Sequence, residues 1–150
     1  MNAASAPTYA AIMFATGIGI PVMAALNAGL GQRLGSPVAA SVVLFAVALA
    51  CSLLALLLAG ASLRGLAGIS DARLLGGGCF VAAYVLAVTA IAPRFGLGNA
   101  VFFVLIGQMA SAAAIDHFAL LGAVRSPVTA ARALGIALMA AGVFFARRPV

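Results

Sequence analysis

Five apolar stretches, each about 20 residues long, divide this chain of 150 residues, and most of its charge falls between them. A chain of this size cannot bury five such runs in a water-soluble core. In lipid each run can cross as a helix that satisfies its own backbone hydrogen bonds. A β-barrel would need strict alternation of apolar and polar residues, and these runs do not alternate. Hydrophobic residues make up 66% of the chain and mean hydropathy is +1.27, against roughly 45–50% apolar residues in soluble domains. The pattern predicts an all-α integral membrane protein with five transmembrane helices in one domain over residues 1–150. The helices are expected at roughly 8–31, 37–60, 72–92, 99–118 and 127–146.

The few charges are one-sided. All eight basic residues are arginine, the acidic residues are Asp71 and Asp116, and the net charge is +6. On a soluble protein that balance would suggest nucleic acid. Here the arginines stand singly or in pairs between apolar runs, where they anchor the helices to lipid phosphates. The expected partner is therefore the bilayer, with no nucleic acid. An arginine-only, Ala- and Gly-rich chain also fits a GC-rich bacterial genome. Cys51 and Cys79 lie in different runs with no second ligand beside them, so they read as small apolar residues and no metal or cofactor is expected. The N-terminal MNAASAPTYA lacks a basic region, so the first run reads as a retained helix rather than a cleaved signal.

The first helix contains Gly17, Gly19 and Pro21 in GIGIP. Proline leaves the carbonyl four residues back without its usual donor, so this is a candidate hinge as well as a packing feature. Beyond it, Ala24/Ala28 and Ala25/Gly29 have small-xxx-small spacing and predict close helix contact. Asn27 lies in that stretch, as an interhelical hydrogen bond or a substrate contact. Ser36-Pro37 reads as a cap followed by proline at the first helical position, and Ser126-Pro127 repeats the device before the fifth helix. The 61–73 connection is expected to be partly an interfacial helix, with Ser70 or Asp71 capping the third helix. Gly76-Gly77-Gly78 would permit close contact there, and Pro93-Arg94-Phe95-Gly96 would end it. Tyr84, near the middle of that helix, is a cavity-lining candidate and equally a packing residue.

The fourth helix carries GQMASAAAIDH, residues 107–117. It sets Gln108, Ser111, Asp116 and the only histidine, His117, within three turns. At about 100° per residue, Ser111 lies roughly 60° from Gln108 on one side and Asp116 roughly 80° on the other. Gly107/Ser111 and Ala110/Ala114 keep that surface narrow, so a neighbouring backbone can approach. Asp116 falls at the helix C-terminus, where the macrodipole disfavours an anion. It should therefore attract a cation, with His117, Arg125 and Arg132 as candidates. The alternatives are an interfacial carboxylate paired with arginine, or a proton- or cation-binding group. Arg132 falls in the second turn of the fifth helix, where it must snorkel or find a partner. Gly135 and Gly142 share a face, and Arg147-Arg148 closes the chain as an anchor.

Three segments carry a resemblance: GIGIPVMAALNAGLGQRLGSPVAA, GQMASAAAIDHF and RALGIALMAAGVFF. Together they resemble the DUF606 (YdcZ-like) family of the drug/metabolite transporter superfamily over nearly the whole chain. Pro21, Asn27, Gly107, Gln108, Asp116, His117, Arg132 and Gly135 fall on positions of the family pattern. Two positions depart from it. The pattern implies glycine after Asp-His-Phe, where this chain has Ala119, and glutamine shortly before Asn27, where it has Met23 and Ala24. The resemblance implies secondary transport of a small molecule, export in direction, from the bacterial inner (plasma) membrane as a multi-pass protein. It supplies no catalytic residues.

It also implies one half of an inverted-repeat transporter of the superfamily's type, which needs an oppositely oriented partner. Five helices place Arg64, Arg73, Arg125 and, where it reaches the interface, Arg132 on the N-terminal side and Arg33, Arg94, Arg147 and Arg148 on the other, four or three against four. Orientation follows an excess of positive residues on the cytoplasmic side, and there is none. Insertion in both directions and an antiparallel homodimer are expected, with a heterodimer of homologous halves as the rival. Alternating access would use Asn27, Tyr84, Gln108 and Ser111 in the cavity and Asp116, aided by His117, as the coupling group. Alternatives are a dual-topology channel and an accessory or assembly subunit of a larger membrane complex. No nucleophile–base pair, metal-spaced cluster or phosphate-binding loop is present in the sequence, so an enzyme is not expected.

Overall fold

The computed structural model describes residues 6–146. The described residues form five α-helices: α1 Ala6–Leu34, α2 Pro37–Leu58, α3 Gly77–Phe95, α4 Leu97–Phe118 and α5 Ala130–Ala146. Four spans are long and apolar enough to cross a membrane, the third counted from Ala72 to Phe95, and α5 is a shorter apolar helix. Between 6% and 17% of the residues in these spans are buried within the chain. Large side chains such as Phe14, Leu57 and Phe80 stand exposed. Such surface is stable only against lipid or another protein, which makes the chain an all-helical membrane protein.

The described residues group into two compact units that divide between Arg94 and Phe95. In the first, α1 packs on α2 through small residues. Ala24, Ala28 and Gly31 of α1 and Ala40 of α2 are buried, Ala40 completely. A Cβ on Gly31 would lie 3.1 Å from Thr89 Cγ2 and 3.5 Å from the Pro37 Cα. The helices therefore meet nearly backbone to backbone, as in small-xxx-small packing. The second small pair, Ala25/Gly29, faces open space. From α3, Val85, Val88, Thr89 and Ala92 are buried, an i, i+3, i+4, i+7 stripe that covers one helix face. α1 runs through Pro21 without interruption.

Ser36 caps α2 as expected: its hydroxyl accepts from Ala39 N at 3.1 Å, with Pro37 beginning the helix. The 61–73 connection is not an interfacial α-helix. It forms two short 3-10 turns, Arg64–Gly68 and Ala72–Leu75, and α3 begins only at Gly77. The reason is local. Asp71 caps the second turn by accepting from Arg73 N, and the three glycines that follow propagate a helix poorly. Among the described residues nothing takes up the close contact that these glycines permit, since a Cβ on Gly77 or Gly78 would meet nothing within 4 Å. Arg73 also donates to Asp71 from Nε and Nη2, at 3.0 and 3.2 Å. This guanidinium holds the Asp71 carboxyl below the usual carboxylate range. The contribution of that pair is present above the ordinary carboxylate pKa and lost as pH falls through the lowered one. At the other end of α3 the helix passes Pro93 and stops at Gly96, whose φ of +87° is open to glycine.

In the second unit, α4 ends on Ala119, which has φ 52° and ψ 41°. A 3-10 turn at Leu120–Gly122 follows, then a non-helical stretch over 123–129. α5 begins at Ala130 rather than at 127, and its cap is Thr129, whose hydroxyl accepts from Arg132 N at 3.2 Å. Ser126-Pro127 does not repeat the cap of Ser36-Pro37, because the backbone around it is bound elsewhere. Ser126 N donates to the Asp116 carbonyl at 2.9 Å and Val128 N to His117 Nδ1 at 3.1 Å. Arg147 and Arg148, read above as an anchor, lie outside the described residues.

Ala119 occupies the left-handed conformation that the missing glycine would adopt freely. A side chain there costs about 1–2 kcal/mol. Ala119→Gly is therefore expected to stabilise the chain by about 1 kcal/mol, less what glycine adds to unfolded-state entropy. Thermal unfolding in detergent checks this, and an unchanged or lower midpoint contradicts the strain.

Candidate functional site

One carboxylate and one arginine from the helices meet where α4 turns toward α5. Asp116 and His117 occupy the last turn of α4, and Arg132 the first turn of α5. Arg132 Nη2 donates to Asp116 Oδ2 at 2.7 Å, with the two side chains 31% and 35% exposed. Each partner stands at the wrong end of its helix. The C-terminal end of a helix disfavours an anion and the N-terminal end a cation, by about 0.3–1 kcal/mol each. Each charge thus offsets the other's unfavourable dipole. Of the three cations proposed for Asp116, Arg132 is the one that pairs with it.

His117 plays a different part. Its Nδ1 accepts the Val128 N–H, so that nitrogen carries no proton and the ring proton sits on Nε2. The ring also meets Phe118 edge-on, with centroids 4.7 Å apart. His117 and the Asp116 carbonyl together hold the 123–129 stretch, which in turn places Thr129 and Arg132. Gln108 and Ser111 are exposed on α4, and a Cβ on Gly107 would meet nothing. The buried small residue of α4 in this region is Ala113. Among the described residues, a Cβ on Gly135 or Gly142 would likewise meet nothing within 4 Å.

The other candidates lie within the first unit. Asn27, buried between α1 and α3, donates from Nδ2 to Thr89 Oγ1 at 2.6 Å. This is the interhelical bond expected of an amide in a packed membrane helix. Thr89 was not singled out from the sequence, although its place in the apolar stripe of α3 marks it as facing a neighbour. Tyr84 stands beside them. Its hydroxyl is buried and, among the described residues, has no hydrogen-bond partner. Asn27 and Tyr84 thus line one narrow crevice with Met23, Leu44, Val88 and Thr89. Gly17 and Gly19, the candidate hinge residues, face open space. Among the described residues no group of three His, Cys, Asp or Glu side chains could hold a metal ion, and Cys51 and Cys79 are free and exposed.

Comparison with curated proteins and with solved structures returns no match. A family model does match, over residues 8–145, and its description is "Putative inner membrane exporter, YdcZ". The match runs from the first helix to the last and takes in Asn27, Tyr84, Asp116, His117 and Arg132. A family of this kind is one of transporters rather than enzymes, and it agrees with a multi-pass chain of the inner membrane. On that match and on its apolar helices, the chain belongs to the YdcZ family of inner-membrane exporters within the drug/metabolite transporter group.

Proposed function

We propose that the chain exports a small molecule by alternating access, as an antiparallel pair of copies driven by an ion gradient, with Asp116 as the coupling group. The observation that carries this reading is the Asp116–Arg132 pair, in which each charge sits against its own helix dipole. A proton or cation arriving at Asp116 would release Arg132, and the α4–α5 connection is held by the same residues. Ionisable groups within membrane helices are rare and mark ion or substrate pathways. The even division of arginines between the two sides supports insertion in both orientations. Gln108 and Ser111, exposed on α4, offer polar groups to a second copy or to substrate.

Topology tests the assembly. A single cysteine in place of Gly65, in a Cys51→Ala/Cys79→Ala variant, is labelled in spheroplasts with an impermeant maleimide. Dual insertion predicts labelling of about half the molecules before permeabilisation. Labelling of all, or of none until the membrane is opened, rejects the antiparallel homodimer and directs attention to a separately encoded, oppositely oriented half.

A further inference from the structure

We propose that the crevice beside Tyr84 is a substrate subsite for an uncharged, largely apolar group bearing one hydrogen-bond acceptor, which takes the Tyr84 hydroxyl proton. The inference rests on the transport reading above and names the class of molecule carried. Three observations support it. The Tyr84 hydroxyl is buried without a partner, and a buried tyrosine hydroxyl normally finds one, because leaving it unmade is costly. The crevice walls close too tightly for a water molecule to satisfy it. None of the lining residues carries a charge, so an ion would enter without a counter-charge, whereas an apolar group meets Met23, Leu44 and Val88.

The neighbouring polar atoms narrow the choice further. Asn27 Nδ2 gives one N–H to Thr89 Oγ1, whereas the buried Tyr84 hydroxyl has no partner at all among the described residues. A carbonyl, ether or ring nitrogen could accept the Tyr84 proton. As it stands the crevice has no room for even one water molecule. Entry needs the walls to part, and Met23 and Leu44 are half-buried side chains, the methionine being of an adaptable type.

The test reads the hydroxyl directly. The chain has two tyrosines and no tryptophan, and Tyr9 is exposed. Tyr9→Phe protein with 13Cζ-labelled tyrosine, in nanodiscs, gives one resonance, from Tyr84. Cyclohexanone and methylenecyclohexane, alike in shape but differing in the acceptor oxygen, are titrated in turn. The expected result is a saturable downfield movement with the ketone, at a concentration roughly fivefold or more below any effect of the hydrocarbon. Equal movement with both, movement with the ketone that never saturates, or none at all overturns the proposal. So does a resonance already at a hydrogen-bonded position and unmoved by the ketone, which would mean that water or a lipid carbonyl holds the hydroxyl. This readout does not depend on transport. Its failure with a positive topology result leaves the exporter assembly standing and removes only the substrate class.

Discussion

Asp116→Asn is expected to cut energised efflux of a neutral carbonyl-bearing dye, Nile red, about tenfold or more, the scale of a coupling free energy of 1–3 kcal/mol. The residual rate should lose its dependence on external pH. Asparagine keeps the size of the side chain and still accepts from Arg132, so the variant should fold. Wild-type efflux with an unchanged pH profile would remove Asp116 from the coupling step. A second experiment needs no substrate. Arg132→Gln leaves Asp116 facing the end of α4 without a counter-ion, whereas Asp116→Asn/Arg132→Gln removes both charges. The double variant should therefore be more stable than the sum of the single losses predicts. Both side chains are about a third exposed, at 31% and 35%. Solvent screening then limits the coupling to about 1 kcal/mol rather than the larger cost of a fully buried pair.

Gly31→Leu is expected to destabilise the α1–α2–α3 unit by about 3 kcal/mol, the upper part of the range for overpacking a closed core. Its first side-chain atom would already lie 3.1 Å from Thr89 Cγ2 and 3.7 Å from Ala40 Cβ. Thr89 cannot simply turn aside, because its hydroxyl is held by Asn27 at 2.6 Å. Relief would have to come from moving α1 off α2, which exposes the small seam of Ala24 and Ala28. Equilibrium unfolding in mixed detergent and SDS measures the loss. A change below about 0.5 kcal/mol, the range of an unconstrained surface position, would contradict the close approach.

The fold was legible wherever one residue type settles a physical question. Apolar length gave the spanning helices, and Ser36-Pro37 marked the start of α2 correctly. Ala24/Ala28 and Asn27 were recognised as a packed seam, and both are buried. Helix ends were less legible where a long-range bond competes with a local signal. Ser126-Pro127 has the same letters as Ser36-Pro37, but His117 and the Asp116 carbonyl take the nearby N–H groups. No window around residue 127 contains that information. Pro93-Arg94-Phe95-Gly96 does end the third helix, at Phe95, whereas the glycines at 76–78 allow a close contact without requiring one. Of the candidate site, the charge at Asp116 stood out from composition alone. Its choice of Arg132 over Arg125 depended on where α5 begins, and the role of Thr89 depended on which face of α3 meets α1.

The non-helical stretch between α4 and α5 also sets where water stands. Backbone that is neither helical nor paired does not face hydrocarbon, so residues 123–129 belong at headgroup level or under protein. Asp116 is two residues from the end of α4 at Phe118, close to that boundary. From Asp116 back to Leu97 at the other end of α4 is about 28 Å at 1.5 Å per residue, close to the hydrocarbon thickness of ~30 Å. In an antiparallel pair the two Asp116 carboxylates would therefore face opposite compartments, nearly a bilayer apart, rather than meet as a dyad at the midplane. Groups so far apart do not share a proton. Each would answer to the pH of its own side, and the gradient itself would be read as a difference in occupancy between the two copies.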